Sequence, residues 1–171
     1  LQKGRFIHRM LQTLPDIAPE DRADAARRYA ERAARFWPQA ERVALIGSVM
    51  ALLSHPDLHG PFRAHAQAEV SIMGTLTLGS QSYAVSGRID RLAVLDDRIV
   101  ILDYKTNRVP PGSERDIPFA HKAQLAIYRS ILSPLYPGKR VDCLLVYTEN
   151  ASIYTLSDDA LALALAELQT K

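Results

Sequence analysis

The segment RIVILDYKT, residues 98 to 106, limits the possible fold more than any other part of the sequence. Side chains alternate along a β-strand, so both faces of the first half of this segment would be apolar. Strands of that kind usually lie in the centre of a sheet that is covered on both sides. An uncompensated charge is costly in such a place, so Asp103 and Lys105 at the end of the strand need partners.

The rest of the chain predicts helices packed around a mixed sheet. Apolar residues at helical spacing predict helices over residues 4–14, 19–36 and 40–54. Alternation then predicts three strands joined by tight turns as a meander, over 62–78, 83–95 and 98–106. A helix over 118–132, strands over 141–148 and 152–156, and a terminal helix capped by Ser157 follow. This order predicts an α/β or α+β sandwich.

Length and composition are those of an ordinary globular domain. The length of 171 residues predicts a single domain, and 47% hydrophobic with 23% charged residues is a usual globular composition. The pattern of apolar residues predicts a helical segment over 1–60 and a sheet core over 62–171 within this domain. The net charge of +2 allows a nucleic-acid partner but does not require one. Cys143, the one cysteine, excludes an internal disulfide and fits a reducing cytoplasm. No signal peptide or long apolar run points to a membrane, and the start without Met suggests a fragment.

The hairpin between GRIDRLAVL and RIVILDYKT is predicted to bring two acids together. If Asp96 and Asp97 form a two-residue turn, Asp90 lies directly opposite Asp103. Like charges at opposed positions repel, so in a partly buried setting one acid is protonated or a cation lies between them. Mg²⁺ fits, because it is typically held by one or two carboxylates. A register slip of one residue would separate the acids.

Lys105 lies on the same face of its strand as Asp103. In that position an ammonium group can hold an attacking water or neutralise charge that develops on a phosphate. The alternative is a plain ion pair between Asp103 and Lys105 at the end of a strand. Asp90 across the hairpin favours the catalytic interpretation.

Four short motifs follow one another in the chain: GRFIH, GRIDRL, ILDYKTN and QLAIYR. In this combination the sequence resembles the RecB-like branch of the PD-(D/E)XK nuclease family, over nearly the whole chain. Within that branch it is most similar to the nuclease domains of bacterial helicase-nucleases of double-strand-break repair. The resemblance implies a restriction-endonuclease-like fold, in which helices sandwich a meander extended by a parallel strand. It also implies exonuclease-type hydrolysis of DNA with Mg²⁺ or Mn²⁺.

The resemblance assigns roles to individual residues. Three side chains and one main-chain carbonyl are implied to bind the metal: His8, Asp90, Asp103 and the carbonyl of Tyr104. Lys105 is implied to be the catalytic lysine and Glu69 an acid of the active site. Gln124 and Tyr128 match the QxxxY element near the catalytic centre.

Each of these roles has a simpler alternative. His8 could be a surface or packed histidine, although Gly4 one turn earlier leaves an uncrowded face beside it. Glu69 lies on the polar face of an alternating strand, where solvation alone would explain it. Gln124 and Tyr128 could be the polar edge of an amphipathic helix.

The expected partners are DNA and a helicase. Four cationic residues near the motifs are candidates for contacts with the DNA backbone, or are plain surface charge: Arg88, Arg91, Arg108 and Lys122. The resemblance implies a single DNA strand delivered by a helicase portion of the same chain, a second nuclease-helicase subunit, and a bacterial cytoplasmic location. A catalytically silent nucleic-acid-binding or scaffolding domain of the same fold is the alternative, as is a sequence-specific endonuclease. The acids and the lysine, all of which are present, argue against the silent domain.

Overall fold

A five-stranded mixed sheet forms the centre of the molecule. The computed structural model describes residues 2–62, 66–107 and 109–170. The strands follow the order β1-β2-β3-β4-β5. Their bounds are β1 (Gln67–Leu78), β2 (Gln81–Val94), β3 (Arg98–Lys105), β4 (Arg140–Tyr147) and β5 (Ser152–Thr155). Neighbours are antiparallel except for β3 and β4, which are parallel. The meander extended by a parallel strand is therefore confirmed.

Helices cover both faces of this sheet. Their bounds are α1 (Gln2–Thr13), α2 (Arg22–Ala33), α3 (Gln39–Leu53), α4 (Phe119–Leu132) and α5 (Asp158–Gln169). One core contains the apolar side chains of α1, α2 and α3, and the other contains those of α4 and α5. Val100, Leu102 and Tyr104 of β3 belong to the first core, whereas Ile99 and Ile101 belong to the second. Strand β3 is thus buried on both faces, as its sequence predicted.

The helix sequences explain where the helices begin and how they pack. The apolar stripe of α1 is fully buried, with Met10 and Leu11 at its centre. Helix α2 presents Ala26 and Ala30 to the core, which lets it lie close to its neighbours. Helix α5 begins after Ser157, whose side chain accepts a hydrogen bond from the Ala160 amide. None of the described helices is long and apolar enough to span a bilayer.

Two predicted boundaries are wrong. The first strand does not begin at residue 62, because Phe62 lies in a turn and its ring is buried in the core beneath α1–α3. The second helix ends at Ala33 rather than at Phe36. Phe36 consequently follows the helix, and 85% of its side chain is exposed.

Candidate active site

The hairpin of β2 and β3 has the register that the two-residue turn predicts. Paired positions run from Val94 with Ile99 to Arg91 with Leu102. This register places Asp90 opposite Asp103 at the next position.

The ladder does not continue through the two acids. Asp90 Oδ2 accepts a hydrogen bond of 2.7 Å from the main-chain amide of Tyr104. In a regular ladder that amide would donate to a carbonyl of β2. The Asp90 carboxylate takes the place of that carbonyl. The pairing of β2 with β3 therefore ends at Arg91 and Leu102, directly before the two acids.

A similar interruption separates β1 from β2. Ala68 pairs with Arg91 and Val70 with Ile89, but Glu69 and Asp90 between them are not paired. The backbone of Glu69 has a φ of 55°, in the left-handed region that side chains rarely adopt. Glu69, Asp90 and Asp103 therefore form a row across three neighbouring strands, which we call the acid row.

Both strands change face at the acid row. Ile89 packs in the core beneath α4 and α5, whereas Ala93, four residues later, packs in the core beneath α1–α3. In a regular strand these two residues would share a face. Ala66, directly before β1, and Val70 of β1 are divided between the cores in the same way. The clean alternation predicted through Glu69 is therefore wrong, and this residue is half-buried rather than solvated.

His8 reaches the acid row from α1. Its Nε2 atom lies 3.1 Å from Asp90 Oδ1 and 3.7 Å from Glu69 Oε1. The nearby Asp90 carboxylate raises the pKa of His8, against the lowering effect of burial, and the other acids of the row also raise it. The negative charge of the acid row thus favours the protonated form of the His8 imidazole.

Gly4 explains how α1 can come so close. A Cβ atom at this position would lie 2.7 Å from Cγ2 of Thr106, just beyond the end of β3. Only glycine therefore allows the first turn of α1 to pack against this end of the sheet. His8 follows one helical turn later, which accounts for the spacing of the glycine and the histidine in the GRFIH motif.

Three of these side chains are close enough to share a metal ion. Ligand atoms of His8, Glu69 and Asp90 all lie within 4.8 Å of one another. Asp103 is not in that group, and its Oδ2 atom lies 2.7 Å from Nζ of Lys105. The predicted ligands His8 and Asp90 are thus together, and Glu69 joins them more closely than Asp103 does. A role for the Tyr104 carbonyl stays a prediction.

The donor set fits a divalent cation. Glu69 Oε1 and Asp103 Oδ2 are both buried and form no hydrogen bond with any residue that the structure describes. Lys105 instead forms an ion pair with Asp103, with its Nζ atom 2.7 Å from Oδ2. Burial raises the pKa of Asp103 to about 6, against the lowering effect of Lys105. Carboxylate oxygens are the ligands that suit Mg²⁺ and Mn²⁺, and three of the four side chains supply them.

Lys105 is held in place by the two residues of the QxxxY element. Its Nζ atom donates a hydrogen bond of 2.7 Å to Gln124 Oε1, and Gln124 Nε2 donates one of 3.1 Å to Tyr128 Oη. Tyr128 in turn lies against Gly87 of the GRIDRL motif, where a Cβ atom would be 2.6 Å from its Oη. Gln124 and Tyr128 are thus linked to the predicted catalytic lysine by hydrogen bonds, and their role in the site stays a prediction.

Comparison with known families agrees with this geometry. A family model described as the PD-(D/E)XK nuclease superfamily matches residues 1–169. The chain belongs to the PD-(D/E)XK nuclease superfamily. This match confirms the membership that was predicted from the four motifs, two of which contain Asp90, Asp103 and Lys105.

Curated relatives lie among the subunits of ATP-dependent helicase/nucleases. One such subunit from Streptococcus equi subsp. zooepidemicus is 33% identical over 84 residues, which are 49% of this chain and 7% of the relative. The protein of the same description from Streptococcus suis is 26% identical over 149 residues, which are 85% of this chain and 12% of the relative. The chain spans about a tenth of the length of these relatives.

A solved structure supports the fold. The crystal structure of a candidate exonuclease from Eubacterium rectale matches 94% of this chain and 64% of its own, with a TM-score of 0.50 and 14% sequence identity. The mixed sheet between helical layers is thus the PD-(D/E)XK fold, as the motifs predicted.

The four candidate DNA contacts of this PD-(D/E)XK domain lie in different surroundings. Arg88 is exposed beside the acid row, and its Nη1 atom donates a 3.0 Å hydrogen bond to Glu69 Oε2. Lys122 faces the segment before α4, with Nζ 3.4 Å from the carbonyls of Glu114 and Arg115. Arg108 lies outside the described residues.

The predicted DNA contact of Arg91 is wrong. Only 1% of this side chain is exposed. Its Nε atom donates a 2.7 Å hydrogen bond to the Pro61 carbonyl, and Nη2 donates one of 2.8 Å to Asp16 Oδ1. Arg91 therefore ties β2 to the helical layer and is unavailable to DNA.

Thr148 is a residue near the site that sequence reasoning missed. Its amide and its Oγ1 atom donate to the carbonyl of Lys105 at 2.9 and 3.2 Å. The residue follows β4, 43 positions after the lysine that it supports. No local signal marks it, because the contact depends on the parallel pairing of β3 with β4.

Proposed function

We propose that this chain is a deoxyribonuclease domain that requires Mg²⁺ or Mn²⁺ and hydrolyses phosphodiester bonds from the ends of DNA strands. One observation carries the proposal. The buried Oε1 atom of Glu69 has no hydrogen-bond partner among the described residues, and the buried Oδ2 atom of Asp103 has only its ion pair with Lys105, in a row that also contains Asp90. Such an arrangement is unfavourable without a cation and is suited to phosphodiester hydrolysis with one.

The residues proposed to hold one or two metal ions are His8, Asp90 and Asp103, with Glu69 and the Tyr104 carbonyl as further ligands. A bound divalent ion supplies polarisation of the scissile phosphate and a lower pKa of bound water. Three carboxylates against Lys105 and His8 leave a negative excess, so binding of the ion also relieves repulsion within the fold.

Lys105 is the proposed catalytic lysine. Its ammonium group is fixed between Asp103 and Gln124, at 2.7 Å from an oxygen of each. A preorganised cation in a partly buried site stabilises negative charge that develops on a phosphate and can orient the attacking water. Gln124 and Tyr128 position this group, and Arg88 offers an exposed guanidinium beside Glu69 for the phosphate backbone.

The proposed setting is a helicase-nuclease of bacterial double-strand-break repair, in the cytoplasm. The similarity to subunits of ATP-dependent helicase/nucleases supports this setting, in which the chain would be a single nuclease domain of a longer protein. The helicase portion would deliver a single DNA strand, and a second nuclease-helicase subunit would complete the assembly.

The test is digestion of end-labelled linear DNA and of closed circular single-stranded DNA with Mg²⁺ or Mn²⁺. Asp103→Asn and Lys105→Ala are expected to lower the rate on linear DNA at least about 100-fold, the scale of losing one preorganised electrostatic contact. Asp142→Asn, an acid on β4 that pairs with Arg140, is the matched control and should retain activity.

Other outcomes identify the alternatives. Equal activity in wild type and both variants would contradict the proposed site. Binding of DNA without any hydrolysis would favour the catalytically silent domain. Discrete fragments would favour a sequence-specific endonuclease, whereas progressive loss of ends agrees with the exonuclease type.

A further inference from the structure

A groove between α1 and α2 lies beside the candidate active site, and we call it the α1–α2 groove. Arg5 and Arg9 line it from α1, and Arg28 and Arg32 line it from α2. Two recesses of about 660 and 210 Å³ make up the groove, and Tyr29 lines both of them. Phe36 and Trp37 lie at one end.

The four arginines of the α1–α2 groove are exposed, and only Arg28 is near an acid, Asp24 one helical turn earlier. None of them forms an ion pair within the described ranges 2–62, 66–107 and 109–170, and none of the residues that line the groove is acidic. Arg27 of α2 differs, since it pairs with Asp24 and Glu31 on the same helix. The groove therefore concentrates positive charge that a polyanion would neutralise.

An aromatic ring completes the groove. Phe36 is 85% exposed, which is unusual for so large an apolar side chain, and Arg35 Cζ lies 4.4 Å from the centre of its ring. Tyr29 and Trp37 are packed against Phe6, with ring centres 5.1 and 5.3 Å apart, so the end of the groove is firmly supported. Arginines beside an exposed ring are the combination that binds single-stranded nucleic acid, because an unpaired base can stack on the ring.

Helix α1 joins this groove to the acid row. His8, which contacts Asp90, lies three residues after Arg5, so the two side chains are neighbours on the helix surface. A strand held in the groove would thus pass over α1 to the acids. We propose that the α1–α2 groove binds single-stranded DNA, with phosphates on the four arginines and a base on Phe36, and leads the strand to the acid row.

The test measures binding without hydrolysis. Fluorescence anisotropy with labelled oligo(dT) of about 20 nucleotides, in EDTA, gives the dissociation constant of the full protein as a function of salt. Arg28→Gln/Arg32→Gln should weaken binding at least about tenfold and lower the slope of log K against log salt by about 1.4, because each phosphate contact contributes about 0.7. Arg98→Gln/Arg140→Gln is the matched control, since both arginines pair with Asp142 away from the groove.

Phe36 is tested separately. Phe36→Ala should weaken binding about 5- to 100-fold, the range for loss of one stacked base, while Phe36→Trp should retain it. Arg28, Arg32, Phe36 and Arg140 are exposed and Arg98 is half-buried, so the fold should survive, and the thermal unfolding midpoint checks this. Unchanged affinity in the arginine pair and in Phe36→Ala would overturn the proposal. So would groove variants that bind oligo(dT) normally but lose contact with another part of the full protein, which would identify a protein-docking surface.

Binding of single-stranded DNA in the α1–α2 groove rests on the proposed function, which supplies DNA as the substrate class. Hydrolysis at the acid row and binding in the groove can nevertheless be tested separately. Thymidine 5′-(p-nitrophenyl phosphate) is a single nucleotide, so its hydrolysis at the acid row does not require a strand in the groove, and none of the acids lines the recess of Arg28. Its hydrolysis with Mn²⁺ should have the same kcat in wild type and in Arg28→Gln/Arg32→Gln. No hydrolysis by wild type would count against the proposed function, whereas normal hydrolysis with unchanged oligonucleotide binding would count against the groove alone.

Discussion

Glu69 on β1 lies opposite Asp90 on β2, yet these two residues are not paired although their neighbours on both sides are. The left-handed backbone of Glu69, with a φ of 55°, turns the strand at this point. Two acids thus approach each other at the place where the sheet is least regular. Strained residues of this kind cluster at functional sites, where the surrounding structure maintains them.

The first prediction concerns the backbone of Glu69. Glu69→Gly should give a metal-free protein whose free energy of unfolding is about 1 kcal/mol higher than that of Glu69→Ala, because glycine adopts positive φ without a Cβ penalty. Both substitutions remove the carboxylate and its contact with Arg88, so their difference isolates the backbone. Urea denaturation in EDTA measures it. Equal stability of the two variants would show that the left-handed conformation is absent in solution.

The second prediction concerns metal binding. Mn²⁺ or Mg²⁺ at about 100 times the dissociation constant should stabilise the protein by about 2.7 kcal/mol. Asp90→Asn should abolish this gain, since this carboxylate lies at the centre of the acid row, whereas Asp142→Asn should keep it. Thermal unfolding with and without metal measures both effects. If the metal stabilised Asp90→Asn as much as it stabilised the wild type, the ion would bind outside the acid row.

A third prediction compares two glycines. Gly4→Ala should destabilise the protein by about 1–3 kcal/mol, because the new methyl group would collide with Thr106. Gly47→Ala should instead stabilise it by about 0.5–1 kcal/mol, since a Cβ at this exposed position of α3 meets no atom within 4 Å. Both changes improve helix propensity equally, so chemical denaturation of the pair separates the close approach from propensity. Similar effects at both positions would contradict the packing of α1 against the end of β3.

Arg88 and Arg91 should behave oppositely. Arg91→Met should lower the free energy of unfolding by about 2 kcal/mol, because it removes buried hydrogen bonds to Pro61 and Asp16. Arg88→Met should change stability little, because Arg88 is exposed, but should raise KM for DNA. Denaturation and steady-state kinetics on both variants check this contrast. A stable Arg91→Met protein with weakened DNA binding would restore the role in DNA contact first predicted for Arg91.

The fifth prediction concerns the one cysteine. Burial raises the pKa of the Cys143 thiol to about 12, so it should not react with a disulfide reagent at pH 8 in the native protein. In urea it should react at the rate of an ordinary thiol. Rapid labelling of the native protein, at the same rate as in urea, would contradict the burial of Cys143 beneath α4.

Local sequence signals predicted that the two aspartates face each other, but they did not predict the backbone conformation of Glu69 or the burial of Arg91. The opposition of Asp90 and Asp103 follows from the length of one turn, which is a short-range property. His8 and Gln124 were assigned through the family resemblance, because each reaches the strands from a helix distant in the sequence. The left-handed Glu69 and the burial of Arg91 depend on tertiary packing, and regular alternation gives no sign of either.

The His8 imidazole and the acid row come from separate parts of the fold. The acid row comes from a contiguous meander, whereas His8 belongs to α1 and is held there through Gly4 and Thr106. A chain in which α1 has not docked can hold its carboxylates together but lacks the imidazole of the proposed set of ligands. The proposed capacity to cut therefore requires the docking of α1, and half-folded copies of the chain would lack it.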